Sequence, residues 1–189
     1  MSHRVGILAL QGDIEAHAGM LRSLGAVPSR VLSKSDLLGL DALVLPGGES
    51  TTISKGIDRL DLWDGLRSFV DAGRPVLGTC AGAILLSRSV ENGIVGTLGA
   101  VDVVAIRNAY GTQVDSFAAP VDGGAREGLE GFRCIFIRAP RLRDAGPGVE
   151  VLAEVEGEPV LVRQGRVLVC AFHPELSADP RVHRLLLPD

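Results

Sequence analysis

Short apolar runs alternate with helix-like segments through the first half of the chain, and this alternation constrains the fold more than any other feature. Mostly apolar runs at residues 5–10, 41–46 and 75–79 are typical of strands buried on both faces, and residues 28–33 are predicted as a further strand. Apolar residues recur at helical spacing at positions 14, 18, 21 and 24, and again at 62, 66, 69 and 70. Each of these stripes is followed by a glycine, and a further helix is predicted over residues 81–87. Strands that alternate with helices favour a parallel sheet covered on both faces.

The second half of the chain is richer in closely spaced strand-like segments. They lie at residues 101–107, 113–118, 132–138, 149–156, 159–163 and 167–172. Glycine-centred triplets at 156–158 and 164–166 are typical of tight hairpin turns. The chain has 189 residues, 46% of them hydrophobic, with no evident repeat or linker. We therefore expect a single domain over residues 1–189, an α/β sandwich in which antiparallel strands are added to a parallel sheet.

Charge, hydropathy and cysteine spacing exclude several classes of function. A formal net charge of −4 offers no basic surplus for nucleic acid or an anionic membrane. The longest uncharged stretch, residues 75–87, is shorter than the roughly 20 residues that span a bilayer, and the first apolar run is too short for a signal peptide. Three cysteines, far apart and without a CxxC pair, argue against a disulfide scaffold or a zinc ribbon. We expect a cytoplasmic protein that binds neither membrane nor nucleic acid.

The segment GTCAG at residues 78–82 joins an apolar strand to an apolar helix. Glycines on both sides of a central residue allow a sharp strand-to-helix bend, which exposes the central side chain above the sheet. The amino terminus of the following helix favours negative charge on the Cys80 sulfur. The pattern therefore predicts a nucleophile at Cys80, although the spacing alone is also compatible with a small core residue.

A second motif, His173-Pro174-Glu175, follows the apolar strand at 167–172. A thiol nucleophile needs a base, and that base needs an acceptor to orient it. Residues two apart in an extended segment project to the same side, so His173 and Glu175 are candidates for these roles. The other histidines offer less: we expect His17, on a helix, and His183, in the polar tail, to be solvated.

A third motif, PGGES at residues 46–50, also follows a strand. Consecutive glycines let the backbone approach a ligand and present N–H donors, as an oxyanion hole requires. The alternative is an ordinary glycine turn followed by a helix cap at Ser50. All three motifs lie at the carboxyl ends of strands, where open α/β sheets place their sites.

Together these motifs resemble those of the class I triad glutamine amidotransferases, and more narrowly the family of glutaminase subunits of the two-component pyridoxal 5′-phosphate synthase. The narrowing motifs are LALQG at 8–12, PGGESTT at 46–52, RN at 107–108, QVDSF at 113–117, FIRAP at 136–140 and FHPEL at 172–176. They follow one another in the expected order over essentially the whole chain. The resemblance implies a three-layer flavodoxin-like sandwich with a central, mostly parallel sheet and added antiparallel strands.

The resemblance also implies a role for each matching residue. Cys80 attacks the side-chain amide of glutamine and forms a γ-glutamyl thioester, His173 transfers the proton, and Glu175 holds the imidazole. The implied oxyanion hole consists of backbone N–H groups at Gly48 and Ala81. The implied glutamine site comprises Gly48, Glu49, Ser50, Arg107, Ile137 and Arg138.

By the same resemblance, the ammonia passes to a separate (β/α)₈-barrel synthase subunit, and up to twelve glutaminase chains dock on a dodecameric synthase. Neither a cofactor nor a metal is implied for this chain. Gln11, beside the oxyanion loop, is expected to transmit docking to the site. The chain departs from the family pattern at Tyr110, Thr112 and Ala83 and in its short carboxyl tail, and these changes bear on assembly rather than on the triad.

Three alternatives stay open on the sequence. A glutaminase serving histidine, purine or pyrimidine synthesis predicts the same triad with another partner. A non-catalytic regulatory module of the same fold is disfavoured because Cys80, His173 and Glu175 are all present. A cysteine hydrolase or chaperone of a related α/β fold is disfavoured by the HPE motif.

Overall fold

The computed structural model describes residues 2–107, 116–122, 125–126 and 128–187. Within these ranges the chain forms twelve strands and five α-helices. The strands are β1 (Arg4–Leu8), β2 (Val27–Val31), β3 (Ala42–Leu45), β4 (Val76–Thr79), β5 (Ser87–Glu91), β6 (Val101–Ile106), β7 (Phe117–Pro120), β8 (Arg133–Phe136), β9 (Arg141–Arg143), β10 (Glu150–Val155), β11 (Glu158–Gln164) and β12 (Val167–Cys170). The helices are α1 (Ile14–Ser23), α2 (Ser50–Arg59), α3 (Trp63–Asp71), α4 (Ala81–Leu86) and α5 (Arg181–Leu186).

A seven-stranded sheet forms the centre of the molecule, in the order β10-β11-β12-β4-β3-β1-β2. The strands from β12 to β2 pair in parallel, whereas β10 and β11 are added at one edge as antiparallel strands. This arrangement confirms the predicted mostly parallel sheet with antiparallel additions. It also brings the carboxyl ends of β3, β4 and β12 side by side at one edge of the sheet.

Helices cover both faces of the central sheet. Every residue of β3, β4 and β12 is buried, which explains why these strands consist of continuous apolar runs. Helix α1 contacts α5, and α2 contacts α4. Gly73 follows the end of α3 and has a φ of 68°, as expected for the glycine after the apolar stripe at positions 62–70.

Two small sheets complete the second half of the described chain. Strands β5, β6 and β9 form one of them, and β7 pairs with β8 in the other. The sequence does not predict β5 or β9, and the predicted helix over 81–87 ends at Leu86 because the chain continues directly into β5. Half of the predicted strand over 113–118, residues 113–115, lies outside the described residues, and β7 includes its last two positions.

In the part of the chain that the structure describes, no helix has both the length and the apolar character needed to cross a membrane.

Candidate active site at the carboxyl ends of the central strands

Cys80 occupies the sharp bend between β4 and α4. Its φ of 49° lies in the left-handed region, which is strained for a residue with a side chain. The flanking glycines make this bend possible. A Cβ on Gly82 would collide with the Leu45 carbonyl oxygen, and one on Gly78 would lie 2.6 Å from the Gly82 carbonyl oxygen. The bend matches the strand-to-helix turn that the GTCAG segment predicts.

His173 and Glu175 follow the neighbouring strand β12. The Cys80 amide donates a hydrogen bond to the Cys170 carbonyl at 2.9 Å, which ties the ends of β4 and β12 together. The His173 amide donates to the Ile135 carbonyl at 2.8 Å, and Pro174 begins a short 3₁₀ turn. The His173 Nδ1 atom lies 2.8 Å from Glu175 Oε1, with the carboxylate almost fully buried. Because Nδ1 forms a hydrogen bond with Glu175, Nε2 is the ring nitrogen that remains available to exchange a proton with Cys80.

The electrostatics of this group favour a charged His173 beside an ionised Glu175. Burial disfavours charge on the imidazole, but hydrogen bonds to Cys80 and Glu175 outweigh it and raise the pKa of His173 to about 10. Burial likewise disfavours charge on Glu175, yet the hydrogen bond from His173 and the positive charge of that imidazole lower the pKa of this carboxyl. The imidazole and the carboxylate therefore form a buried ion pair.

The other two cysteines lie in the core. Burial raises the pKa of Cys134 to about 12. Burial and the charge of Glu175 also raise the pKa of Cys170 well above its usual value. Both thiols are fully inaccessible, whereas Cys80 lines a cleft. Cys80 is therefore the cysteine suited to attack a substrate.

The glycine loop after β3 packs directly against these residues. A Cβ on Gly47 would lie 2.5 Å from His173 Cε1 and 3.3 Å from the Cys80 Cβ. Gly48 has φ of 142°, which favours glycine. The Glu49 amide donates to Gln11 Oε1 at 2.9 Å, so Gln11 supports this loop. Glu49, rather than Ser50 as the alternative interpretation expects, caps α2, and Ser50 is the first residue of that helix.

An open cleft lies in front of Cys80 and His173. Apart from these two, its lining includes all six residues expected to hold glutamine: Gly48, Glu49, Ser50, Arg107, Ile137 and Arg138. Arg107 donates to Glu49 Oε1 at 2.9 Å and lies 3.3 Å from Thr51 Oγ1. Arg138 has φ of 47°, a second strained position at the site. Ala81 does not line the cleft but is the first residue of α4.

The sequence analysis assigned no role at the site to several residues that the structure places there. Ile84 and Pro140 also line the cleft. The expectation that His17 and His183 are solvated is wrong, because both are fully buried and pair behind Glu175. His17 lies three residues after Ile14 and four before Leu21, on the apolar stripe of α1, and this spacing could have revealed its burial.

Part of the expected pattern lies outside the described residues. This applies to Asn108, to Tyr110 and Thr112, and to residues 113–115 of the QVDSF motif. The motif ends in the described Phe117, whose ring stacks on Phe136 at a centroid distance of 4.6 Å. Ala83, the remaining internal departure from the family pattern, is fully buried within α4.

Solved structures with the same architecture identify the class of protein. A structure described as a glutamine amidotransferase superposes with a TM-score of 0.90 at 47% identity and covers 97% of this chain and 96% of its own. The structure of PurLQS from Thermotoga maritima superposes with a TM-score of 0.69 at 16% identity, covering 98% of each chain, and shares the fold. The fold is that of the class I glutamine amidotransferases, as predicted.

Sequence comparison narrows the class to a family. The model of the SNO glutamine amidotransferase family matches residues 7–188. Pyridoxal 5′-phosphate synthase subunit PdxT from Frankia alni is 50% identical over 188 residues, covering 97% of this chain and 93% of the relative. PdxT from Desulforudis audaxviator is 47% identical over 184 residues, covering 97% of each. The chain belongs to the SNO glutamine amidotransferase family, which confirms the resemblance and the prediction of an amidotransferase enzyme.

Proposed function

We propose that this chain, as one glutaminase domain over residues 1–189, hydrolyses L-glutamine to glutamate and ammonia through Cys80, His173 and Glu175. One observation carries the proposal. Cys80 follows β4, and the pair of His173 and Glu175 follows the adjacent strand β12. Cys80 and His173 meet at a cleft that Arg107 and Arg138 also line. Acyl transfer requires a nucleophile beside a base, and an acceptor that orients the base.

In the first half of the reaction, His173 Nε2 takes the proton of the Cys80 thiol, and the sulfur attacks the side-chain amide carbon of glutamine. The C–N bond breaks as His173 Nε2 gives its proton to the departing nitrogen, which leaves as ammonia. A γ-glutamyl thioester remains on Cys80. In the second half, water attacks this thioester while His173 takes one of its protons, and glutamate leaves as the thiol forms again. Glu175 stabilises the imidazolium in both halves.

The tetrahedral intermediates carry negative charge on the former carbonyl oxygen. We assign its stabilisation to the backbone N–H groups of Gly48 and Ala81, one in the glycine loop and the other at the first turn of α4. The glycine loop is supported from behind by Gln11. Loss of one such donor typically lowers turnover by ~10²–10³-fold.

The α-carboxylate of glutamine needs a positively charged partner, and its α-ammonium group needs a negatively charged one. Arginine suits the α-carboxylate because its guanidinium stays charged and donates two parallel hydrogen bonds. Arg107 and Arg138 line the cleft and are our candidates, with Glu49 suited to the α-ammonium group. Backbone groups at Ser50 and Ile137 complete the proposed substrate site.

The relatives named as synthase subunits support a role in pyridoxal 5′-phosphate synthesis. We propose that the ammonia is delivered in the cytoplasm to a (β/α)₈-barrel synthase, with up to twelve of these chains on a dodecameric core. The three free thiols suit a reducing compartment. Gln11 is a candidate for coupling because it contacts the oxyanion loop, so Gln11→Ala should reduce synthase-stimulated turnover more than it weakens glutamine binding.

The test is glutamate formation from glutamine by the chain alone and with the synthase subunit, with Cys80→Ala as the control. Turnover that requires Cys80 and rises with the synthase supports the whole proposal. Turnover that ignores the synthase keeps the chemistry but assigns the chain to another amidotransferase pathway. A folded protein without turnover under either condition is the outcome expected of a regulatory module.

A further inference from the structure

A pair of buried histidines lies directly behind the proposed triad. His17, on α1, and His183, on α5, are separated by 166 positions, yet His17 Nδ1 lies 2.9 Å from His183 Nε2. On its other side, His17 Nε2 lies 3.5 Å from Glu175 Oε2. The contacts therefore continue from His173 through Glu175 and His17 to His183, with neither rear histidine exposed to solvent.

Burial favours the neutral form of both rear histidines. Burial lowers the pKa of His17, and the charge of Glu175 offsets this only in part. Burial also lowers the pKa of His183 to about 3, with the neighbouring His17 acting in the same direction. Of the ionisable groups around His17, Glu175 and Asp13 favour its protonation, whereas His173 opposes it. The pair therefore adds hydrogen-bonding capacity behind Glu175 without adding charge.

The surroundings select one arrangement of protons on this pair. His17 Nε2 faces two oxygen atoms, Glu175 Oε2 and Thr79 Oγ1, each at 3.5 Å. An ionised carboxylate only accepts, so Nε2 carries the hydrogen and Nδ1 accepts. His183 Nε2 must then donate to His17 Nδ1. This leaves His183 Nδ1 as an acceptor, and it has no hydrogen-bond partner among the described residues.

His17 also lies where it can donate a hydrogen bond to the second carboxylate oxygen of Glu175. One carboxylate oxygen, Oε1, is bonded to His173. The other, Oε2, is buried and has no hydrogen-bond partner within the described residues, although His17 Nε2 approaches it to 3.5 Å. A buried oxygen left without a donor is costly, and hydrogen bonds at a catalytic site are often long without substrate and shorten in the complex. His17 is the donor that faces this oxygen.

We propose that His17, held in one tautomer by His183, is a positioning residue that orients the Glu175 carboxylate and thereby stabilises the charged form of His173. The inference rests on the proposed function, because it assigns His173 to the proton transfer at Cys80. His17 does not line the cleft, so its effect is on the proton transfer and not on glutamine binding.

A matched pair of variants tests this role. The side-chain nitrogen of His17→Gln can occupy the position of Nε2 and still donate to Glu175. His17→Asn is as polar, but its shorter amide occupies the position of Nδ1, so it retains the contact with His183 and not the one with Glu175. The two variants therefore differ in the interaction that the proposal invokes.

The first measurement is the alkylation rate of Cys80 by iodoacetamide at neutral pH, relative to its rate at alkaline pH where free thiols ionise. Peptide mass spectrometry identifies the modified cysteine. Loss of a hydrogen bond to a charged group changes an equilibrium on the order of tenfold or more. We expect His17→Asn to lower this ratio by about tenfold, and His17→Gln to keep it close to that of the unmodified chain.

Steady-state glutamine turnover is the second measurement, made with the synthase subunit present. In His17→Asn we expect kcat to fall and its alkaline limb to move to lower pH, with KM unchanged. Equal behaviour of the two variants, including an equal loss of folded protein, would overturn the inference and leave His17 a structural residue. If the unmodified chain does not hydrolyse glutamine, the proposed function fails, whereas the alkylation ratio still tests the contact with Glu175.

Discussion

Gly47→Ala tests the proposed geometry most directly, because the added methyl group points at the imidazole of His173. Gly47 does not have a positive φ, so its backbone accepts alanine. The new Cβ would lie 2.5 Å from His173 Cε1, and ordinary contact needs about 3.4 Å. The ring must therefore move by roughly 1 Å. A misplacement of this size at a catalytic group costs about 10²-fold in rate, or about 2.7 kcal/mol of transition-state stabilisation.

We expect kcat for glutamine hydrolysis to fall by about 10²-fold in Gly47→Ala, while the midpoint of urea unfolding changes little because the imidazole rotates rather than the backbone. Gly19→Ala is the matched control. Gly19 lies within α1, and a Cβ there meets no atom within 4 Å. That control should leave turnover unchanged and stabilise the fold by up to about 1 kcal/mol.

The reasoning would be refuted by Gly47→Ala protein that is fully folded and hydrolyses glutamine at the unmodified rate. That result would mean that the position of the His173 ring beside Gly47 is not the position used in proton transfer. A large loss of stability accompanying the loss of turnover would instead show that the ring cannot move independently of the glycine loop.

Two further predictions concern stability and substrate binding. We expect the unfolding free energy to fall as pH drops below 6.5 towards about 3, because burial lowers the pKa of His183 to about 3 and the unfolded chain therefore binds the proton first. The slope is up to ~1.4 kcal/mol per pH unit, and urea unfolding should show a shallower slope in His183→Leu; identical slopes would contradict the assignment. We expect Arg107→Lys to raise KM for glutamine by about tenfold with little change in kcat, because lysine lacks the planar fork that now contacts Glu49 and Thr51. An unchanged KM would remove Arg107 from the substrate site.

The residues proposed for chemistry were predictable because each is marked by a local pattern. The bend at Cys80 follows from glycines two residues before and after it, whose missing side chains leave room for Leu45 and for α4. His173 and Glu175 follow a continuous apolar strand, and parallel strands end at the same edge of a sheet. Short-range sterics and strand polarity therefore determine this part of the site.

The sequence did not predict some elements whose local signals are weak, and it left the first residue of one helix open. Strands β5 and β9 have exposed or charged residues at most positions, so no apolar run marks them, and their pairing with β6 forms them. The cap of α2 is Glu49, whose side chain accepts from the Thr51 amide, and not Ser50 as the alternative interpretation has it. The pairing of β5 and β9 with β6 depends on residues farther along the chain, which no local apolar run reveals.

The sequence by itself determined the alternation of buried strands and helices in the first half of the chain, the bend at Cys80 and the place of the HPE segment after a strand, since these follow from hydrophobic periodicity and glycine placement. Only the tertiary structure decided what lies behind Glu175. His17 and His183 come from opposite ends of the chain and meet because α1 packs against α5. Burial of a histidine is a property of that long-range packing, and with it come the neutral form, the tautomer and the contact with the carboxylate.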